Sequence, residues 1–359
     1  MVAIEVNTAT ENYPVLVGKN CLNTEEATIK AQLSGYSKVL FITDENVAAH
    51  YAHVMVTLTE GLDQTVPVYI TPAGEAAKTF SVYEKVMTHL IQQGLDRKSV
   101  IVAFGGGAVG DLAGFVAASF MRGIDFIQMP TTILAHDSAV GGKTAINHPL
   151  GKNLVGAFHQ PVAVYYDTAL LETLPERQMR SGFAELIKHG LIADNVLLEK
   201  VMTQYPTMAS LYKNDMTTYL EEGIQIKANI VAVDEKEQGI RAYLNFGHTF
   251  GHAIEAAGNF SRWFHGEAIM VGMKFALLLS EEVTGLQFER ERWESWSKTL
   301  GYDLSVPDDL TFEELFTSML HDKKTTYQAI HFVLLNKIGE PSIHVVEKEI
   351  LQRVFEKMR

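Results

Sequence analysis

The order of strand-like and helix-like segments in the first half of the chain is the feature that most restricts its fold. Four short apolar runs rich in β-branched residues predict buried strands, at residues 38–43, 66–70, 99–104 and 125–129. Helical spacing of the apolar residues separates these runs, at 46–58, 79–93 and 109–120. Alternating strands and helices indicate a mostly parallel α/β sheet, and ligands bind such sheets at the carboxyl ends of the strands.

A different pattern begins near residue 176. Helical spacing predicts helices at 176–193, 216–233, 248–258, 267–282 and 288–300, and a late hairpin pairs 329–335 with 341–346. Leu174 and Pro175 mark the boundary, because a proline ends the element before it and starts a helix well. The sequence therefore predicts a Rossmann-like α/β domain at 1–175 and a mostly α-helical domain at 176–359. A chain of 359 residues is long enough for two such cores.

Composition and charge exclude several classes of function. The chain has 43 acidic and 30 basic residues and a net charge of −13, which argues against a general nucleic-acid or anionic-membrane binder. Its single cysteine, Cys21, excludes a disulfide scaffold, a cysteine-rich zinc module and an iron–sulfur cluster. Residues 1–20 lack the pattern of a signal peptide, and no apolar run approaches the roughly 18 residues of a membrane-spanning helix. We expect a cytoplasmic protein that holds any metal ion through histidine and carboxylate side chains.

A glycine-rich segment, GGGAVGD at 105–111, follows a predicted strand and opens a helix. Glycines let the backbone approach a pyrophosphate, and a helix N-terminus supplies N–H donors. The spacing differs from the G-x-G-x-x-G fingerprint, and a tight turn that needs positive φ is the alternative interpretation. Other polar side chains are predicted at the same edge of the sheet: Asp44, which can accept ribose hydroxyls, Glu75, Lys78, Thr131 and Thr132. Together they predict a nucleotide cofactor.

Histidines and a glutamate in the second half are candidate metal ligands. His248 and His252 are four residues apart on one predicted helix face, and His265 and Glu185 lie on other segments. A mixed histidine and carboxylate set suits Zn²⁺ with an open position. Thr249 follows His248, so the H-E-x-x-H motif of metalloproteases is absent. Spacing alone leaves open whether His248 and His252 are both ligands.

Cations in glycine-rich sequence are candidates for an anion pocket. The segment GGKT at 141–144 resembles the end of a phosphate loop, but Asp137 stands where the first glycine of that motif belongs. The candidates are Lys143, Lys152 with Asn153, Lys188, Lys227, Arg241, Lys323 and Lys324. Surface lysines are the alternative interpretation, which we favour for Lys323. Lys188 shares a helix face with Glu185, and Arg241 and Asn245 would share one with His248 if that helix extended so far.

These motifs, taken in order, resemble those of the 3-dehydroquinate synthase family of sugar-phosphate cyclases. They are GGGAVGDLAGFVA at 105–117, PTT at 130–132, DSAVGGKT at 137–144, GKNLVGAF at 151–158, SGFAELIKH at 181–189, LNFGHTFGHAIE at 244–255, HGE at 265–267 and DKK at 322–324. The resemblance implies conversion of 3-deoxy-D-arabino-heptulosonate 7-phosphate to 3-dehydroquinate and phosphate in the shikimate pathway. It implies transient oxidation by NAD, phosphate elimination, reduction and aldol closure, with Zn²⁺ or alternatively Co²⁺ as the metal.

The resemblance also implies a role for each matching residue. Glu185, His248 and His265 would be the metal ligands, while His252 would face the substrate phosphate and assist proton transfer. Substrate contacts would come from Asp137, Lys143, Lys152, Asn153, Lys188, Lys227, Arg241, Asn245 and Lys324, and Arg122 would reach across a homodimer. NAD contacts would come from Asp44, Glu75, Lys78, Gly105, Gly106, Gly107, Val109, Gly110, Asp111, Thr131, Thr132, Lys143, Lys152, Thr168, Leu170, Leu171, Glu172 and Thr173.

One departure and three alternatives stand beside this interpretation. Four residues separate Thr132 from Asp137 where many family members have five, so we expect a loop variant around His136. The alternatives are a polyol or alcohol dehydrogenase, a sister cyclase acting on another sugar phosphate, and a non-catalytic nucleotide-binding regulator. The many lysines argue against the first, Arg241 favours a carboxylated substrate over the second, and the complete set of candidate metal ligands argues against the third.

Overall fold

The computed structural model describes residues 1–321 and 330–359, and the chain forms two compact units. The first unit contains Met1–Leu174 and Lys227–Lys236, and the second contains Pro175–Ile226 and Glu237–Arg359. Within the described residues, no helix is both long enough and apolar enough to cross a membrane.

The described residues contain strands and helices in the following order. The strands are β1 Val2–Asn7, β2 Asn12–Gly18, β3 Val39–Asp44, β4 Val68–Thr71, β5 Val100–Gly105, β6 Asp125–Pro130, β7 Lys143–His148, β8 Gly151–Phe158, β9 Ala163–Asp167, β10 His331–Lys337 and β11 Glu340–Val345. The helices are α1 Cys21–Thr24, α2 Glu26–Ser34, α3 Glu45–Thr59, α4 Phe80–Gln92, α5 Gly107–Ser119, α6 Ala135–Ser138, α7 Glu176–Ala193, α8 Asn195–Gln204, α9 Met208–Lys213, α10 Thr217–Val233, α11 His248–Ala257, α12 His265–Val283, α13 Arg290–Thr299, α14 Phe312–His321 and α15 Lys348–Lys357. Short 3₁₀ turns lie at Gly74–Ala77, Phe120–Arg122, Thr168–Thr173 and Ile240–Asn245.

The first unit is built on a seven-stranded sheet in the order β1-β2-β9-β6-β5-β3-β4. All neighbouring pairs are parallel except β1 and β2. Every residue of β3 and β5 is buried, as expected for central strands covered by helices on both faces. The predicted α/β class with a parallel, Rossmann-like sheet is confirmed.

Sequence reasoning missed the edge of this sheet and a separate hairpin. In β1 and β2 the buried residues Ile4, Val6, Tyr13, Val15 and Val17 alternate with exposed or half-buried ones, and β7 and β8 form an antiparallel hairpin outside the main sheet. Strand β8 reads GKNLVGAF, in which two glycines and two polar residues obscure a strand pattern. Its exposed apolar residues include Leu154 and Phe158.

Helices dominate the second unit, and two of them cross closely. A Cβ built on Gly272 of α12 would lie 1.9 Å from the carbonyl oxygen of Gly247, and one on Gly251 of α11 would lie 2.8 Å from Ile269. Glycine is therefore required where the backbones of α11 and α12 approach. Phe250 and Phe275 stack beside this crossing with ring centroids 4.0 Å apart. The crossing holds the N-termini of both helices in place, and each begins with a candidate metal ligand.

Candidate functional site

Three helices of the second unit carry the predicted metal ligands. Glu185 lies in α7, His248 is the first residue of α11, and His265 is the first residue of α12. The helix α11 does not extend upstream to Arg241 and Asn245, the condition under which they would share a face with His248. Gly247 has φ +78°, which interrupts the helix, and Arg241 and Asn245 lie in the preceding 3₁₀ turn. These two side chains therefore do not share a helix face with His248.

The ligand atoms of Glu185, His248 and His265 lie close together. One carboxylate oxygen, Glu185 Oε1, is 3.5 Å from His248 Nε2 and 3.4 Å from His265 Nε2. A tetrahedral zinc ion about 2.05 Å from each ligand separates neighbouring ligand atoms by roughly 3.4 Å. The donor set and its spacing thus fit a zinc or cobalt ion bound through one carboxylate oxygen and two imidazole nitrogens.

Hydrogen bonds orient both imidazole rings toward Glu185. His248 Nδ1 lies 3.1 Å from the carbonyl oxygen of Phe246, and His265 Nδ1 lies 3.2 Å from Glu255 Oε2. An acceptor at Nδ1 favours the tautomer that carries its proton there. Each ring then presents the Nε2 lone pair to the space beside Glu185, as a metal ligand must.

The two histidines differ in pKa without a metal. Burial lowers the pKa of His248 well below its ordinary value, and the nearby Lys188 ammonium adds to this effect against the opposing Glu185. Burial also lowers the pKa of His265, but Glu255 and Glu185 outweigh it and raise that pKa to about 9. The metal-free centre therefore contains a neutral His248 and a positively charged His265 between two carboxylates.

The other predicted site residues of this unit differ in how close they lie to Glu185, His248 and His265 and in how deeply they are buried. Lys188, which is fully buried, contacts the carboxylate of Glu185. His252 Nε2 is 4.0 Å from Glu255 Oε2, and the His252 side chain is 35% exposed against 10% for His248. The structure therefore groups His248, and not His252, with Glu185. Arg241 is fully buried in its 3₁₀ turn.

Two carboxylates near these residues were not assigned by sequence reasoning. Glu237 Oε1 accepts a hydrogen bond from the side-chain amide of Asn245 at 2.7 Å, and Glu237 has φ +57°. Left-handed backbone at a non-glycine residue is uncommon and concentrates at functional sites. Glu255 follows His248 by seven residues and His252 by three, so helical spacing alone places it on their face. That spacing could have identified Glu255 from the sequence as a neighbour of the two histidines.

Buried hydroxyls lie at the carboxyl edge of the sheet in the first unit. The side-chain oxygens of Thr43, Thr131 and Thr132 are buried and have no hydrogen-bond partner among the described residues. Unsatisfied buried hydroxyls are costly, and they are available to a polar ligand. Asp44 ends β3, and its Oδ1 accepts from the backbone N–H groups of Asn46 and Val47 at 2.9 and 3.0 Å. One of its oxygens is thus already used to cap α3.

The glycine turn between β5 and α5 is selected by space rather than by left-handed backbone. Gly105, Gly106, Gly107 and Gly110 all lie outside the positive-φ region, so the interpretation of a turn needing positive φ is wrong. A β-carbon on each of these four glycines, in the same order, would lie 2.7–2.9 Å from a side-chain atom of Val109, Thr132, Ser138 and Gln128. A β-carbon at any of these positions would force its neighbour to move, least easily at Gly105, where it would meet the Cβ of Val109.

Charged side chains form a network beside this turn. The ammonium of Lys78, which is 2% exposed, lies 2.6 Å from Asp111 Oδ2 and also contacts Asn153. Glu75 Oε1 lies 3.2 Å from Lys152, and its Oε2 accepts from Asn147 at 2.7 Å. Burial raises the pKa of Glu75, but Lys78 and Lys152 outweigh burial and lower it. Predicted NAD-binding and substrate-binding residues thus contact one another here.

The remaining predicted residues of the first unit are more dispersed. Lys227 Nζ lies 2.9 Å from Asp137 Oδ1 and also contacts the Asp137 carbonyl. Lys143 begins β7 and is exposed. Thr168, Leu170 and Leu171 are buried in the turn after β9, whereas Glu172 and Thr173 are exposed. His136 is fully buried, with Nδ1 2.6 Å from the Ile133 carbonyl. Arg122 is exposed with φ +69°, and Lys323 and Lys324 lie outside the described residues.

Comparison with known proteins gives consistent matches along the chain. Residues 68–181 match the family model described as 3-dehydroquinate synthase N-terminal, and residues 182–325 match the one described as 3-dehydroquinate synthase C-terminal. The 3-dehydroquinate synthase of Listeria monocytogenes serotype 4b is 52% identical over 100% of this chain and 98% of its own length. That of Bacillus pumilus is 47% identical over 98% and 97%.

A solved structure extends the comparison to the fold. A crystal structure of 2-deoxy-scyllo-inosose synthase, complexed with carbaglucose-6-phosphate, NAD⁺ and Co²⁺, is 28% identical to this chain. The match covers 100% of both chains with a TM-score of 0.88, which confirms the predicted fold class. Because two family models span residues 68–325 and full-length relatives are about half identical, this chain belongs to the 3-dehydroquinate synthase family.

Proposed function

We propose that this chain catalyses the reaction that gives its family its name. The reaction converts 3-deoxy-D-arabino-heptulosonate 7-phosphate to 3-dehydroquinate and inorganic phosphate. The supporting observation is the 52% identity over the whole chain, combined with a Glu185–His248–His265 cluster whose atoms are spaced for a metal ion. Residues 1–175 would bind NAD, and residues 176–359 would bind the metal and contribute most of the substrate contacts.

The second unit supplies the metal chemistry in this proposal. Glu185, His248 and His265 would hold Zn²⁺, with Co²⁺ as an alternative, because their distances and tautomers fit such an ion. A bound divalent ion acts as a Lewis acid that lowers the pKa of a coordinated alcohol. Lys188, in contact with Glu185, adds a positive charge beside that position.

The first unit supplies the nucleotide site in this proposal. The hydroxyls of Thr43, Thr131 and Thr132, which have no partner within residues 1–321 and 330–359, lie at the edge of the sheet where nucleotides bind, and α5 begins beside Gly106 and Gly107. When bound at this site, NAD⁺ would supply a reversible hydride acceptor, which suits a reaction without net oxidation. The residues carried over from the family as NAD contacts remain predictions.

Positively charged residues would bind the two negatively charged groups of the substrate, its carboxylate and its phosphate. Arg241 presents a planar guanidinium suited to bidentate carboxylate binding, whereas Lys188 and Lys227 act as point charges. Asn245 and Glu237 form a hydrogen-bonded pair able to accept and donate to hydroxyl groups. His252 is the most exposed histidine of the group and would hold and transfer a proton near the phosphate. The phosphate itself is a competent base, so His252 would mainly position it.

The assembly and location follow from the same resemblance. We propose a cytoplasmic homodimer in which Arg122 reaches the substrate of the other subunit. Its exposed side chain on left-handed backbone is compatible with a contact made outside its own chain. Sedimentation of the purified protein tests the dimer, and activity of mixtures of Arg122→Ala and His248→Ala chains tests the contribution of Arg122 across it.

An assay of two products separates this function from its alternatives. Purified protein is incubated with the heptulosonate phosphate and NAD⁺, with and without a metal chelator, while phosphate and NADH are followed. We expect phosphate release without NADH accumulation, and loss of release in chelator. A polyol dehydrogenase would accumulate NADH with a neutral polyol, a sister cyclase would prefer sedoheptulose 7-phosphate, and a regulator would release no phosphate; each result would contradict the proposal.

A further inference from the structure

One histidine of the metal centre lies between two carboxylates. His265 Nε2 is 3.4 Å from Glu185 Oε1, and His265 Nδ1 is 3.2 Å from Glu255 Oε2. We propose that Glu255 is a positioning residue, whose carboxylate accepts the Nδ1–H of His265 and holds Nε2 toward the metal. The proposal rests on the ligand set of the proposed function. It assigns a task to a residue that the proposed reaction leaves without one.

The position of Glu255 follows from helix geometry. Seven residues separate it from His248 on α11, which is close to two turns, so both side chains lie on one face. Glu255 is 3% exposed, and a buried carboxylate requires compensating partners. The N-terminus of α12 brings His265 to that face, where its ring meets Glu185 on one side and Glu255 on the other.

The two histidine ligands have different supports. His248 Nδ1 faces a neutral carbonyl, that of Phe246, whereas His265 Nδ1 faces a carboxylate. A hydrogen bond to an ionised acceptor is stronger, and it increases the basicity of the imidazole at its other nitrogen. His265 would therefore be the stronger imidazole ligand, and Glu255 would be the reason.

A second metal position is the competing explanation of the same cluster. His252, Glu255 and His265 also bring three ligand atoms within 4.8 Å of one another. A neutral imidazole has one lone pair, so His265 can bind two ions at once only as an imidazolate. In addition, His252 Nε2 lies 4.0 Å from Glu255 Oε2, wider than the roughly 3.4 Å edge of a tetrahedral zinc site. Both observations favour the positioning role.

Zinc affinity and stoichiometry test the proposal directly. Metal-free wild type, Glu255→Gln and Glu255→Ala are titrated with zinc against a chromogenic chelator. We expect one zinc per chain in each, with affinity about 10–100-fold weaker in both variants. The matched control is Glu235→Gln, the same change at another buried carboxylate, whose donors Thr10 and Gln160 belong to the first unit. Its zinc affinity should equal that of wild type.

A tautomer measurement separates positioning from loss of structure. Nitrogen-15 NMR of the histidines in the zinc-bound protein should show His265 protonated at Nδ1, with that proton signal shifted in Glu255→Gln. Thermal melting of the metal-free variants controls for folding. Unchanged zinc affinity in a folded Glu255→Gln would overturn the proposal. So would a second, weaker zinc in wild type that both His252→Gln and Glu255→Gln remove while the tight one stays.

The outcome is independent of the substrate assignment. A protein that binds zinc with the expected loss in Glu255→Gln, yet releases no phosphate from the heptulosonate, would contradict the proposed function alone. Normal phosphate release with unchanged zinc affinity in Glu255→Gln would contradict the role of Glu255 alone.

Discussion

At the scale of single residues, the chemistry divides between ligands and their supports. Sequence reasoning brought Glu185, His248 and His265 forward by their types and by family resemblance, and the structure places them together. Spacing alone had left His248 and His252 equivalent, because both lie on one face of α11. What separates them is the position of Glu185 on another helix, which no local pattern contains.

Because His248 and His252 differ in position, we expect their alanine variants to lose different amounts of zinc and activity. His248→Ala removes a metal ligand, so we expect loss of zinc and of nearly all phosphate release. His252→Ala leaves the Glu185–His248–His265 group intact, so we expect normal zinc content and a rate lowered by about 10²–10⁴-fold or less. Zinc content by atomic absorption, measured beside the rate of phosphate release, checks both. Normal zinc content in His248→Ala would show that the ligand assignment is wrong.

The buried guanidinium of Arg241 gives a second prediction at this scale. A lysine keeps the positive charge but loses the planar fork that matches a carboxylate. We expect Arg241→Lys to raise KM for the heptulosonate phosphate more than it lowers kcat. The same variant should lose less toward sedoheptulose 7-phosphate, which lacks the carboxylate. Equal losses with both compounds would argue against Arg241 as the carboxylate ligand.

At the scale of helices and strands, the elements with a regular apolar pattern could be predicted, whereas those that depend on single glycines could not. The helices at 176–193 and 248–258 and the strands at 99–104 and 125–129 were predictable because their apolar periods are long and regular. The predicted start of α11 at residue 248 is confirmed, but the 3₁₀ turn before it was not predicted; the left-handed Gly247 separates the two. The crossing of α11 and α12 likewise depends on glycines whose partner segment is distant in sequence.

At the crossing of α11 and α12, we expect the single methyl group added by Gly272→Ala to lower stability markedly. In Gly272→Ala, the new Cβ would meet the Gly247 carbonyl oxygen at 1.9 Å, and backbone cannot rotate away as a side chain can. We expect a loss of about 1–3 kcal/mol or more in the free energy of unfolding, together with weaker zinc binding. Gly35→Ala is the control, because Gly35 has right-handed φ and its nearest contact is at 3.3 Å. Denaturant unfolding compares the two, and equal stability would contradict the packing argument.

The segment after α10 predicts a pH dependence of stability. Glu235 accepts from Thr10 Oγ1 at 2.6 Å and from Gln160 Nε2 at 2.9 Å. Burial raises the pKa of Glu235, but these hydrogen bonds outweigh it and lower that pKa below its ordinary value of 4.5. The stabilisation is therefore present above the unfolded pKa and is lost as pH falls through the folded pKa. The difference in unfolding free energy between wild type and Glu235→Gln should shrink below about pH 4.5; a difference independent of pH would contradict this.

At the scale of the whole molecule, the net charge describes the protein surface but not the charge of the candidate sites. A net charge of −13 argues against polyanionic partners, yet the buried cations Lys78, Lys188 and Arg241 are among the candidate site residues. The single cysteine directed the search for metal ligands to histidine and glutamate, which form the candidate cluster. Fold class and family were within reach of the sequence. The edge strands and the hydrogen bond between Glu237 and Asn245 were not, because they arise only from packing, whereas helical spacing alone could have placed Glu255 beside His248 and His252.

We propose that the chain uses a nucleotide and a metal to eliminate phosphate without net oxidation of the substrate. The measurement is a time course with NAD⁺ at one hundredth of the heptulosonate phosphate, in which phosphate, 3-dehydroquinate and NADH are all quantified. We expect equal amounts of phosphate and 3-dehydroquinate, far exceeding the NAD⁺ supplied, with no accumulated NADH. Product that stops at the amount of NAD⁺, or NADH that rises in step with product, would contradict it.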